Sequence, residues 1–192
     1  MPQPDMNLLD HPGRVSDSYA AQLYLRKHLN QIHRMFYSPT DPAKENHAER
    51  FRNVELVAES VSSMNWVSPR FRFEETDQPA NEILAARLRA KYWGAQMITY
   101  RPFIRQILNF SYSIRANPSS PNLPSGTEFR KDIDVPMIDP NARAPSDIDP
   151  AIVALAVKAI NALVESTRAF HNLDEVGNKR PIITNVYGTA HA

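Results

Sequence analysis

The chain has 192 residues, a formal net charge of +1 and no cysteine. That length suits one domain with a real core. The missing thiols exclude a disulfide framework, a thiolate zinc site and a cysteine nucleophile within this chain, and the balanced charge leaves no global electrostatic footprint for nucleic acid or membrane.

Residues 1–15 read as an irregular lead-in with a turn at "DHPGR". It has no basic stretch followed by an apolar run, so no signal peptide is expected. Ser16 or Ser18 is suited to cap a helix reaching about Tyr37, with Leu25, Leu29, Ile32 and Phe36 on one face. "SPTDP" stops it. A second helix is expected over 45–65, with Phe51, Val54 or Glu55, Val57 or Ala58, and Val61 on one side. "SPRFRFEETDQPA" reads as a loop leading to a helix start at Asn81.

The third helix is expected over 81–116. One stripe is Leu84, Leu88, Tyr92, Ala95 and Ile98; a second is Ala86, Ala90, Trp93, Met97, Tyr100 and Ile104. Two adjacent stripes make a wide apolar arc, which places this helix at the centre of a bundle. Pro102 removes a backbone donor and should kink or break the helix near Thr99–Arg101.

Residues 117–149 carry prolines at 118, 121, 124, 136, 140 and 145 and several aspartates. They read as a Pro/Asp-rich surface loop of a composition that favours disorder. Asp149 and Pro150 then give an N-cap and a first-turn proline. The fourth helix should run to Phe170 with Ile152, Leu155, Ala159, Leu163 and Phe170 inward. Its apolar run "AIVALAVKAINALV" is too short and interrupted to span a bilayer. Pro181 opens a fifth helix, "PIITNVYGTAHA", with Ile182, Ile183, Val186, Tyr187 and Ala190 on an apolar face that reads as unfinished, as in a truncated domain. There is no useful β-alternation and no internal repeat. The reading is one all-α unit: an irregular bundle of about five helices with one long Pro-rich loop.

Residues 83–116 hold Arg87, Arg89, Lys91, Arg101, Arg105 and Arg115 and no acid. Arg87 and Lys91 are one turn apart, as are Arg101 and Arg105, so these four form a candidate charged contact face. With balanced charge overall, a rim of long stems covering the apolar arc outweighs direct DNA contact. Tyr92, Trp93, Met97 and Tyr100 could line a small-molecule pocket between helices or fill the core. His11, His28, His33, His47, His171 and His191 offer no pair at helical spacing with a third ligand, so no metal site is expected. Glu74 and Glu75 fall in a loop, and Glu165 is a lone acid on an apolar helix. Phosphate-loop, dinucleotide and nucleophile-elbow motifs are missing, so no enzyme is expected.

Three strings together resemble one family. "ILAARLRAKYWGAQMITYRPFI" is similar to its A-R-L-R-A-K-Y-Y-G-A pattern followed by R-P-F. "AVKAINALVESTRAF" is similar to its next helix, and "RPIITNVYGTAHA" to its T-N-x-x-G-T-A-H-A close. "LLDHPGRVSDSYAAQLYLRKHLNQIHRMFY" fits its upstream helix, so the resemblance covers about 7–192. The family is the fungal transcription factors with an N-terminal six-cysteine binuclear zinc cluster and a helical regulatory domain. The resemblance implies a nuclear regulator of transcription, working through protein partners, self-association or a small-molecule effector, with no membrane. Two departures stand out. Trp93 replaces a second tyrosine, and no residue here can form the zinc cluster. Zinc and DNA binding would belong to a part of the protein outside this chain, and no cofactor is expected within it.

Overall fold

A computed structural model describes residues 12–37, 47–116, 138–139 and 141–173. The elements are α1 (Pro12–Phe36), α2 (His47–Ser62), a short α3 (Met64–Val67), α4 (Ile83–Ala116) and α5 (Pro150–Arg168), with 3-10 turns at Pro69–Phe71, Pro145–Asp147 and His171–Leu173. The fold is all-α, and no strand occurs among the described residues. The expected fifth helix over 181–192, the stretch 117–137, the stop at "SPTDP" and the side chain of Phe51 lie outside the described residues.

The long helix α4 is the axis, packed against α1, α2 and α5. Its wide apolar arc explains that position: a helix apolar over more than one stripe needs more than one neighbour. Leu88, Ala95 and Phe103 are fully buried on it, with Tyr92, Tyr100 and Phe110 close to that. Leu25, Ile32 and Phe36 of α1, Val54, Val57 and Val61 of α2, and Ile152, Leu155 and Ala159 of α5 complete one core.

The first helix starts earlier than its serines suggest. Pro12 lies in the first turn, where a missing N–H costs nothing, so Ser16 and Ser18 are internal positions. Ser18 is buried there. A Cβ at Gly13 would come 3.0 Å from the exposed Arg70 guanidinium, which pairs with Asp17 at 3.3 Å.

Pro102 does not break α4, which is continuous from Ile83 to Ala116. An ordinary residue at 102 would donate its N–H to the Ile98 carbonyl. The Tyr37 hydroxyl, just past the end of α1, donates to that same carbonyl at 2.7 Å. A side chain from the neighbouring helix thus replaces the bond that proline removes.

Part of the expected surface loop is also built into the fold. Ile138, Ala142 and Ile148 are buried. The Asp147 carboxylate accepts from the backbone N–H groups of Arg143 (2.8 Å) and Ala144 (2.9 Å), closing the turn that leads into α5. These bonds hold Asp147 below its ordinary pKa. Asp149 caps α5 as expected, accepting from Ala151 N–H at 2.8 Å.

Helix α5 buries Ile152, Leu155, Ala156, Ala159, Ala162 and Ser166. Leu163, expected inward, is instead 39% exposed. The inward face is mostly Ala and Ser because α5 lies close along α4: the Ser166 hydroxyl donates to the Ala90 carbonyl at 3.3 Å. Contrary to the sequence expectation, Pro150–Leu173 is long and apolar enough to cross a membrane by length and composition, an 18-residue stretch of it having a mean hydropathy of 1.3. Such helices also occur as packed elements of bundles, and here the small-residue face is occupied by α4.

Candidate functional site

Of the four aromatic and thioether residues singled out on α4, Trp93 lines a cleft together with Phe73, Arg89 and Arg168. Tyr92 and Tyr100 are core residues, and Trp93 and Met97 are half-buried. Tyr92, Trp93 and Phe73 form an edge-on ring cluster, with centroids 5.0 Å (Phe73–Tyr92), 5.1 Å (Tyr92–Trp93) and 6.2 Å (Phe73–Trp93) apart. Such tilted contacts suit the ring quadrupoles. The Tyr92 hydroxyl is 3.0 Å from Ser62 Oγ, and Gln96 Nε2 donates to the Ala58 carbonyl at 3.2 Å and to the Ser62 and Tyr92 oxygens at 3.3 and 3.4 Å. Burial pushes the Tyr92 phenol up, partly offset by these hydrogen bonds. Burial likewise pushes Tyr100 up to about 12, so it stays neutral at any ordinary pH. This polar knot ties α2 to α4; its groups hold each other and none is poised as an acid or base near neutrality.

Beside the ring cluster lies a cleft lined by Glu74, Glu75, Asp77, Arg89, Glu165 and Arg168. The sequence separates Glu165 from the loop acids by about 90 positions, and the packing of α5 on α4 brings them to one place. The interior is about 10 Å³, room for about one water and far below the several hundred Å³ of a ligand site. Its charges are largely paired internally. Arg168 bonds Glu165 at 2.5 Å. The Arg89 guanidinium donates to the Gln78 carbonyl at 2.5 Å, sits 3.8 Å from Asp77, and stacks over the Phe73 ring at 4.9 Å. Arg89 therefore anchors the 72–80 loop. Among the described residues no three His, Asp or Glu side chains converge as a metal group.

The cations divide into two places. Lys91 is half-buried, and its ammonium is held below its ordinary pKa first by burial, then by Arg87 one turn earlier and by Arg26 on α1. Among the described residues, none of these three has a carboxylate partner. Arg87 and Arg26 are exposed, so the cluster opens to solvent. Arg101 (exposed) and Arg105 (half-buried) begin roughly 15 Å beyond Lys91 along the helix axis and do not join it. Sequence reading pairs Arg87 with Lys91 but misses Arg26. The signal was present: Arg26 follows Leu25, whose face meets α4, so it flanks the α1–α4 contact.

No family model, curated relative or solved structure matches this chain. The zinc cluster implied by the resemblance cannot be formed by these residues, since the chain has no cysteine.

Proposed function

We propose that the chain is the helical regulatory part of a fungal zinc-cluster transcription factor, acting in the nucleus through contacts with a protein partner or effector and leaving DNA to another part of the protein. The family half of this reading rests on the strings A-R-L-R-A-K-Y-W-G-A (86–95) and T-N-V-Y-G-T-A-H-A (184–192). The observation that carries the mode of action is the Arg26–Arg87–Lys91 cluster. Like charge from Arg87 and Arg26 disfavours the half-buried Lys91 ammonium, and no carboxylate among the described residues offsets that cost. An acidic partner segment would relieve that cost and gain charge-assisted hydrogen bonds.

The test is a reporter assay in a fungal cell, with the chain fused to a heterologous DNA-binding domain. The chain should change reporter transcription, and Arg26→Glu with Arg87→Glu should remove the effect while leaving the thermal melt in place. A reporter insensitive to a folded chain would defeat the regulatory reading. In that case retained binding of a short Glu-rich peptide by the purified protein would favour a second reading, a free-standing helical interaction module.

A further inference from the structure

The outer face of α1 is exposed and apolar along half its length. Val15, Tyr19 and Leu23 follow one another at steps of four and are 52%, 64% and 50% exposed, and the exposed Arg26 comes three residues later on the same side. Contacts fix the two flanks of this face. On one flank the Tyr24 hydroxyl donates to the Ser60 carbonyl of α2 at 2.7 Å. On the other, Arg26 lies close enough to Lys91 of α4 to act on its charge. Helices α1 and α4 run in the same direction: Arg14 pairs with Glu82 near their starts, and Tyr37 donates to the Ile98 carbonyl farther along. Arg87 and Lys91 therefore lie beside the Tyr19–Arg26 part of α1. The surface is an apolar stripe bordered by three cations, two of them from the neighbouring helix.

We propose that this surface docks an acidic amphipathic helix of a partner protein, its apolar side on Val15, Tyr19 and Leu23 and its carboxylates on Arg26, Arg87 and Lys91. The inference rests on the acidic-partner half of the reading above and adds the partner's form. Charge selects the occupant. Asp17 is the one acid of α1 and pairs with Arg70 at 3.3 Å, Glu82 pairs with Arg14, and α4 has no acid. Carboxylates from a partner are therefore the complement of the three cations, whereas a second copy of the same surface would set like charges against each other. The stripe selects the form. A Glu-rich segment without apolar residues would leave Tyr19 and Leu23 in water. A helix with an apolar side covers them, and Tyr and Arg are the residue types that most often anchor such interfaces. From Val15 to Arg26 the surface runs about 16 Å, or about three turns of a docked helix. A flat bilayer fits less well, because Lys91 is half-buried beside α1, where a single Glu side chain reaches it.

The test titrates the full purified chain against two labelled peptides of about 14 residues, read by fluorescence anisotropy. One is built of Glu, Leu and Ala with its leucines on one helical face. The other has the same composition in an order that leaves no apolar face. The first should bind about tenfold more tightly than the second. Tyr19→Gln with Leu23→Gln, which keeps good helix formers on α1, should bring the first peptide down to the affinity of the second. Arg26→Glu with Arg87→Glu should weaken both. Tyr112→Gln, at a 65% exposed position on α4 outside this surface, should change neither. Equal affinity for the two peptides would overturn the inference and leave the acidic-partner reading standing, and no binding of either would remove both. Selective binding of the first peptide by a chain that leaves the reporter unchanged would keep the docking surface and defeat the regulatory role. Tighter binding to phosphatidylserine vesicles or to a DNA duplex than to the first peptide, lost in the same variants, would overturn the inference by placing a membrane or a nucleic acid there.

Discussion

Helices α4 and α5 lie side by side and are both rich in apolar residues, yet they divide their large side chains differently: α5 buries Ile152 and Leu155 but leaves Val153, Val157, Ile160, Leu163 and Val164 partly exposed. α4 turns Leu88, Tyr92, Tyr100, Phe103 and Phe110 into the core. α5 keeps mainly alanines at the shared surface and shows Val157 and Ile160 half-exposed on the far side. The difference teaches that hydrophobicity alone does not choose the packed face of a helix. Where the neighbour's side chains already fill the space, the smaller face allows the closer approach, and dispersion over many short contacts favours it.

Core truncation should break the comparison most strongly. Phe103→Ala, at a fully buried position, is expected to cost about 3–5 kcal/mol. Leu108→Ala on the same helix, 63% exposed, should stay within about 0.5 kcal/mol. Urea-denaturation midpoints of the two variants measure this, and similar shifts would mean that α4 is not the axis of the core. The next effect tests the small face of α5. Ala159→Leu adds three carbons where no space is free and should cost roughly 1–3 kcal/mol. Ala154→Leu, on the exposed side, should leave the midpoint in place.

The same contrast explains what could be read from the sequence. The stripes of α1, α2 and α4 were legible because large apolar residues recur at helical spacing and are buried where they recur. α5 misled at Leu163, since periodicity ranks residues by hydrophobicity and cannot see the volume of a facing helix. The N-terminus of α1 misled because a serine before an apolar stripe signals a cap, while Pro12 fits the first turn equally well. Ile138, Ala142 and Ile148 were hidden in a Pro/Asp-rich stretch: isolated apolar residues carry no period, and the turns that Asp139 and Asp147 close onto backbone amides are not visible in it. For the candidate site, the Arg87–Lys91 pair was visible as an i,i+4 spacing. Arg26 was not, because it comes from another helix.

Pro102 reads from the sequence as a lost donor that kinks or breaks the helix; the helix does not break there, and this gives the third prediction. Tyr37→Phe leaves the Ile98 carbonyl without its hydroxyl partner and should cost about 1–3 kcal/mol. Pro102→Ala restores a backbone donor to the same carbonyl. In that background Tyr37→Phe should cost measurably less, so the double-mutant cycle should show coupling. Additive effects would mean that the hydroxyl does not replace the proline's missing bond.

The smallest effect concerns the α1 side of the bundle and is read as a pH dependence. His28 is buried, with its ring 4.3 Å from Tyr24 and its Nδ1 without a protein partner among the described residues. Burial, and then the charge of Lys27, lower its pKa from the ordinary 6.5. The unfolded chain therefore binds a proton at this side chain more readily than the native one. Stability should be at its full value above pH 6.5, fall as pH drops from there toward the lowered native pKa, and level off below it. Asp147 acts in a separate window, because its contribution is lost only as pH falls from below 3.8 through its own lowered value. His28→Phe keeps a ring beside Tyr24 and removes the titration. Melting temperatures measured from pH 7.5 to 5 should then lose the part of their slope that the wild-type chain shows just below 6.5. An unchanged slope would mean that His28 takes up its proton in the native state as readily as in the unfolded one, and that the α1–α4 contact opens to water more than the packing of Leu25 and Ile32 allows.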